Sequence, residues 1–126
     1  MKFFDENNQP LDIDQLKKEL RDLKDEPIPT ESDLESDLEA AYQQGNTNVT
    51  GMAAISFLGI GGNLLKKIRR AVCAVVGPGS SADEIIDAIL DELVKLIPGG
   101  FILKPLVKKI AKFIFDKGIG AFCAGV

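Results

Sequence analysis

Residues 81–100 read SADEIIDAILDELVKLIPGG, and this stretch decides the fold class. Ser81 followed by Glu84 is a capping box, in which each side chain satisfies a backbone amide left free at a helix start. Asp83, Glu84 and Asp87 put negative charge in the first turns, where the helix dipole favours it. Ile85, Ile86, Ile89, Leu90, Leu93, Val94 and Ile97 recur at steps of three and four residues, which builds one broad apolar helical face. Pro98-Gly99-Gly100 then stops the helix.

Working outward, the same period recurs on both sides. Downstream, a helix starts near Lys104 with Pro105 in its tolerant first turn. Leu106, Val107, Ile110, Phe113 and Ile114 face one way, and Lys104, Lys108, Lys109 and Lys112 the other; Gly118 and Gly120 loosen it before an apolar tail. Upstream of the break Gly77-Pro78-Gly79, residues 63–76 place Leu64, Leu65, Ile68, Val72 and Val75 on one side. Lys66, Lys67, Arg69 and Arg70 form a basic band around the rest. The preceding 51–62 is almost wholly apolar with four glycines, either a buried helix or a tightly packed turn.

Two thinner helices occupy the first fifty residues. Asp12 with Gln15 opens one whose stripe is Ile13, Leu16, Leu20 and Leu23, and Pro27 with Pro29 forbids its continuation. Thr30 is placed to cap the next, striped by Leu34, Leu38 and Ala41/Tyr42, with Gly45 as its expected stop. Stripes this narrow do not hold a helix alone, so both must dock on something. No stretch outside buried-looking runs alternates with a period of two. The expected fold is all-α, a small bundle of about five short amphipathic helices.

Charge divides the chain. Residues 1–50 hold 5 Lys/Arg and 13 Asp/Glu, a balance of -8, while residues 51–126 hold 10 and 6, a balance of +4. We therefore expect an acidic helical segment over 1–50 and a cationic, apolar helical domain over 51–126, with a polar boundary at 43–51. Opposite charge on the two parts means different tasks or mutual neutralisation.

Several function classes are disfavoured. Histidine is absent, which removes the commonest general base and most transition-metal sites, so no enzyme and no cofactor is expected. The carboxylates Asp83, Asp87 and Asp91 share a helical face, but one straight helix does not wrap a calcium ion; a solvated face is expected, open to pairing with the lysines of the last helix. None of the glycine-rich stretches has phosphate-loop spacing. A net charge of -4, with no Trp and one Tyr, disfavours nucleic acid. The start has no apolar stretch behind Lys2, so synthesis in the cytoplasm without a classical signal peptide is expected, with any secretion left to a dedicated exporter. Cys73 and Cys123 are too few for a closed zinc site; they form one disulfide or stay reduced and buried.

The positive feature is the cationic, apolar pattern of 63–70 and 103–117. Helices with Lys/Arg on one face and Leu/Ile/Phe on the other lie readily in an anionic membrane interface. This points to Lys66, Lys67, Arg69, Arg70, Lys104, Lys108, Lys109 and Lys112, with Phe113 and Ile114, as membrane-contact residues. The same apolar faces can instead build the domain's own core.

Residues 62–126 resemble a saposin-like membrane-active domain or a helical bacteriocin of similar shape. The likeness rests on short amphipathic helices, one acidic and one lysine-rich, and on an apolar tail, Ile119-Gly120-Ala121-Phe122-Cys123, that returns a cysteine towards Cys73. The family typically has six cysteines rather than two. The resemblance implies a Cys73–Cys123 bond and a protein that binds or permeabilises bilayers. The function expected on that basis is a membrane-active protein in precursor form, whose acidic segment masks the cationic unit by docking Leu16, Leu20, Leu34 and Leu38. The rival expectation is a cytoplasmic helical-bundle binding protein, of immunity or adaptor type, that recognises a protein partner through its acidic helices.

Overall fold

Capping side chains mark where helices begin. In the computed structural model, which describes residues 3–5, 7–21, 27–50, 60–97 and 99–124, Asp12 Oδ1 accepts from the Gln15 amide at 3.1 Å and opens α1 (Ile13–Arg21). Thr30 and Asp33 cap one another, each side chain accepting from the other's amide at 3.1 Å, and open α2 (Glu31–Thr50). After α3 (Ile60–Val75), the Ser81–Glu84 box opens α4 (Ala82–Leu96) with both of its hydrogen bonds made. Then α5 (Lys104–Lys117) begins without a side-chain cap, and Gly118, at φ 85°, separates it from the short α6 (Ile119–Cys123).

Among the described residues the chain is all-α. The only extended pairing there is a pair of isolated bridges from Phe4, to Pro10 and to Phe101. The Ile102 amide donates to the Phe4 carbonyl at 2.7 Å, which brings Phe3 and Phe101 into the core.

Helix α2 packs along α3, α3 along α4, and α4 along α5. Helix α1 lies over α4 and α5, α2 also reaches α5, and α6 closes against α3 and α5. One apolar core runs through these contacts. The first fifty residues give it Phe3, Leu16, Leu20, Leu34, Leu38 and Ala41, beside Ile68, Ile86, Ile89 and Ile110 from the later helices.

Three sequence expectations need correcting. Helix α2 runs through Gly45 to Thr50, because one glycine costs only about 1 kcal/mol in a helix and no proline follows to break it. The boundary expected between 50 and 51 borders residues 51–59, which lie outside those described, as does Leu23. Val75 is 70% exposed, while Val76 is buried: the buried face advances from Ile68 and Val72 by four residues, and Val75 turns away from it. Finally, the apolar tail forms a sixth helix, and Phe122 fills the core at 1% exposure.

Gly61 shows how closely two helices approach. A Cβ there would collide with the Glu35 backbone carbonyl of α2, so only glycine lets α3 sit this near. The Gly61 amide donates to Glu39 Oε1 at 3.1 Å, which adds a polar tie to the same crossing.

Candidate functional site: a charged seam between acidic and basic helices

The seam is built on leucines. Leu16 and Leu20 lie four residues apart on α1, and Leu34 and Leu38 four apart on α2; each is at most 1% exposed. They are covered by the helices of the cationic part, since α1 meets α4 and α5 while α2 meets α3 and α5.

Ion pairs rim this apolar strip. Five among the described residues join the first fifty residues to the later helices. Three set acids of α1 and α2 on bases: Glu31 on Arg69 at 2.6 Å, Asp37 on Lys109 at 2.6 Å, and Glu19 on Lys108 at 3.8 Å. Two run the other way. Lys17 meets Asp87 at 2.9 Å, and Arg21 grips Asp83 with Nε at 3.0 Å and Nη2 at 2.8 Å. The seam is thus complementary in both directions. Asp83 and Asp87 of α4 pair with α1 rather than with the lysines of the last helix, the option open in the sequence, because α1 packs on α4 and brings its bases there.

The hydrogen bond from Lys17 to Asp87 holds the ammonium above its ordinary value of 10.5, aided by the charges of Asp87, Asp83 and Asp14 and opposed by burial. Lys109 is raised in the same way by its hydrogen bond to Asp37, by that charge, and by Asp33.

The ten residues expected to touch a membrane fall into separate places. Lys104, Lys108, Lys109 and Lys112 line a cleft of about 530 Å³ on α5, opposite Pro27, Ile28 and Pro29. Lys66, Lys67 and Arg70 are exposed on the outer face of α3. Arg69 is held between Glu31 and the Phe122 ring. Phe113 and Ile114 are 7% and 0% exposed and lie in the core. The α5 period that groups them with Leu106 and Ile110 explains this, since that whole face turns inward.

Cys73 and Cys123 are joined, with Cα atoms 5.8 Å apart, and the bond pins α6 to α3. Phe122 beside it packs edge-on against Phe113 at 6.1 Å. This clasp was only partly legible in the sequence. The cysteines were visible, but the helical turn that carries Phe122 was not, because Gly118 and Gly120 argue against a helix there.

No group of three or more metal-ligating side chains occurs among the described residues. No helix there is long and apolar enough to cross a membrane. Comparison with protein-family models, curated proteins and solved structures finds no match.

Proposed function

We propose that this chain is a membrane-active helical protein held in a masked form, with residues 1–50 as the mask and the cationic, disulfide-clasped helices of 51–126 as the active unit. The observation that carries this reading is the seam. Leu34 and Leu38 are sealed against α3 and α5, whose other sides are basic, Leu16 and Leu20 against α5 and the acidic α4, and acids of the same segment neutralise Arg69, Lys108 and Lys109.

Magnitudes say which part holds the mask. Burying a leucine stabilises by roughly 1.5–3 kcal/mol, whereas an exposed ion pair contributes about 0–1 kcal/mol. The leucines supply the affinity, and the ion pairs set orientation and neutralise charge. Displacing α1 and α2 would uncover an apolar strip flanked by Lys104, Lys108, Lys109 and Lys112, the composition that favours an anionic membrane interface. The Cys73–Cys123 bond suits a working life in an oxidising compartment and supports export from the cytoplasm.

The rival reading, a partner-binding bundle acting through acidic helices, draws less support. Glu19, Glu31 and Asp37 are already engaged with basic residues of their own chain. The deciding experiment is dye leakage from anionic vesicles, full-length chain against residues 51–126. The fragment is expected to release dye at concentrations where the whole chain does not. Equal, negligible leakage from both would overturn the membrane reading.

A further inference from the structure

The mask is selective in which charges it neutralises. Arg69, Lys108 and Lys109 meet acids of α1 and α2. Lys66, Lys67 and Arg70, at steps of one and three residues on the outer face of α3, do not. Together with Lys95 in the last turn of α4 they line one cavity of about 530 Å³, beside Tyr42 and Leu96. All four cations are exposed, and among the described residues none is paired with a carboxylate and no carboxylate lines the cavity.

We infer that this face is an electrostatic docking surface for the phosphates of anionic phospholipid headgroups, and that it works while the mask is still in place. Charge complementarity fixes the sign of the occupant. The four cations are all exposed and are spread along α3 and across to α4, which suits an array of phosphates better than one enclosed anion. The choice of a lipid source rests on the membrane-active reading above. The intact chain would then gather at an anionic surface by charge alone, with its apolar strip covered, and insertion would follow only when α1 and α2 leave. Docking and insertion thus use different faces of the molecule.

The test uses the full chain and vesicles of phosphatidylglycerol mixed with phosphatidylcholine, against phosphatidylcholine alone. Binding to the anionic vesicles at low salt is expected, without dye leakage, and raised salt should abolish it by screening. Each cation near such a surface is worth about 5-fold in affinity, so Lys66→Gln, Lys67→Gln, Arg70→Gln and Lys95→Gln combined should weaken binding by at least about 100-fold. Glutamine keeps helix propensity at these exposed positions, and unchanged circular dichroism would confirm the fold. Lys18→Gln, at an exposed cation of α1 that lines a different cavity, should leave low-salt binding within a few-fold of the unaltered chain.

Equal binding by the quadruple variant and the unaltered chain would overturn the proposal. So would tighter, four-cation-dependent binding to a soluble polyanion, inositol hexakisphosphate or duplex DNA, than to vesicles. Leakage by chains carrying Leu34→Asp and Leu38→Asp separates the two readings. If it persists while the intact chain shows no low-salt binding, the docking face fails and the masked membrane-active reading stands; if both are absent, both fail.

Discussion

The guanidinium carbon of Arg69 sits 5.1 Å from the ring centre of Phe122. The same guanidinium holds Glu31 at 2.6 Å, so one α3 residue links the acidic helix α2 to the disulfide-clasped α6. Its Nε is buried without a hydrogen-bond partner among the described residues, where the ring and Glu31 fix the group. Phe122→Ala should cost about 3–5 kcal/mol in denaturant unfolding, as for other large-to-small core changes. Arg69→Lys should cost about 1 kcal/mol, because lysine does not reproduce the planar stack. A Phe122→Ala chain as stable as the unaltered protein would show that α6 is no part of the core.

The neighbouring glycines Gly61 and Gly62 should respond in opposite ways to alanine. At Gly61 the new Cβ meets the rigid Glu35 backbone, and α2 must shift, at about 1–3 kcal/mol. At Gly62 its nearest neighbour is Glu35 Oε1 at 3.5 Å, an ordinary contact with a mobile side chain. There the better helix propensity of alanine should leave stability unchanged or raised by up to about 1 kcal/mol. Thermal melting of the two variants checks this, and equal losses would mean that the close approach is not what Gly61 provides.

The helices were legible because their signals are local. The Ser81–Glu84 box, the Thr30 cap and the apolar faces of α4 and α5 each depend on residues within a few turns. The seam was legible only as net charge. Which acid meets which base depends on α1 packing on α4, a tertiary fact that no spacing encodes, and so the partners of Asp83 and Asp87 are not readable from their positions. Phe113 and Ile114 were equally ambiguous. An amphipathic face reads the same whether it is buried in a bundle or in a bilayer. Phe3 and Phe101 reach the core through the backbone hydrogen bond from Ile102 to Phe4, and no periodic pattern announces that.

The Cys73–Cys123 bond closes a loop with a sequence separation of 50 residues. By chain entropy this stabilises the fold by about 4 kcal/mol. Reduction should therefore lower the melting temperature clearly, and Cys73→Ala with Cys123→Ala should do the same without reductant. Two free thiols titrated in unfolded protein, purified under oxidising conditions, would refute the bond.

Stability should fall in alkali, and Lys17 and Lys109 should account for part of the fall. Both folded values are raised, first by hydrogen bonds to Asp87 and Asp37 and then by nearby carboxylate charge. Their contribution is fully present below the ordinary value of 10.5 and is lost as pH rises through the folded values above it. Unfolding midpoints measured from about pH 9 upward should drop less in Lys17→Gln/Lys109→Gln protein than in the unaltered chain. Identical slopes would mean that these pairs contribute nothing to the seam.

The last prediction separates the two components of the mask. Leu34 and Leu38 are fully buried, whereas the carboxylates that pair with Arg69, Lys108 and Lys109 keep 35–48% of their side-chain surface exposed. Exposed pairs are weak and screened by salt, so replacing Glu19, Glu31 and Asp37 with glutamine should loosen the seam by about 3 kcal/mol at most. Leu34→Asp and Leu38→Asp each remove a buried side chain and introduce a charge without a partner, a change that favours leaving the seam over staying in it. In full-length protein the leucine variants should therefore release dye from anionic vesicles as the 51–126 fragment does, and the release should survive high salt because apolar contact drives it. The glutamine variants should stay close to the intact chain in leakage. Strong leakage from the glutamine set with none from the leucine set would assign the mask to charge and overturn its apolar basis.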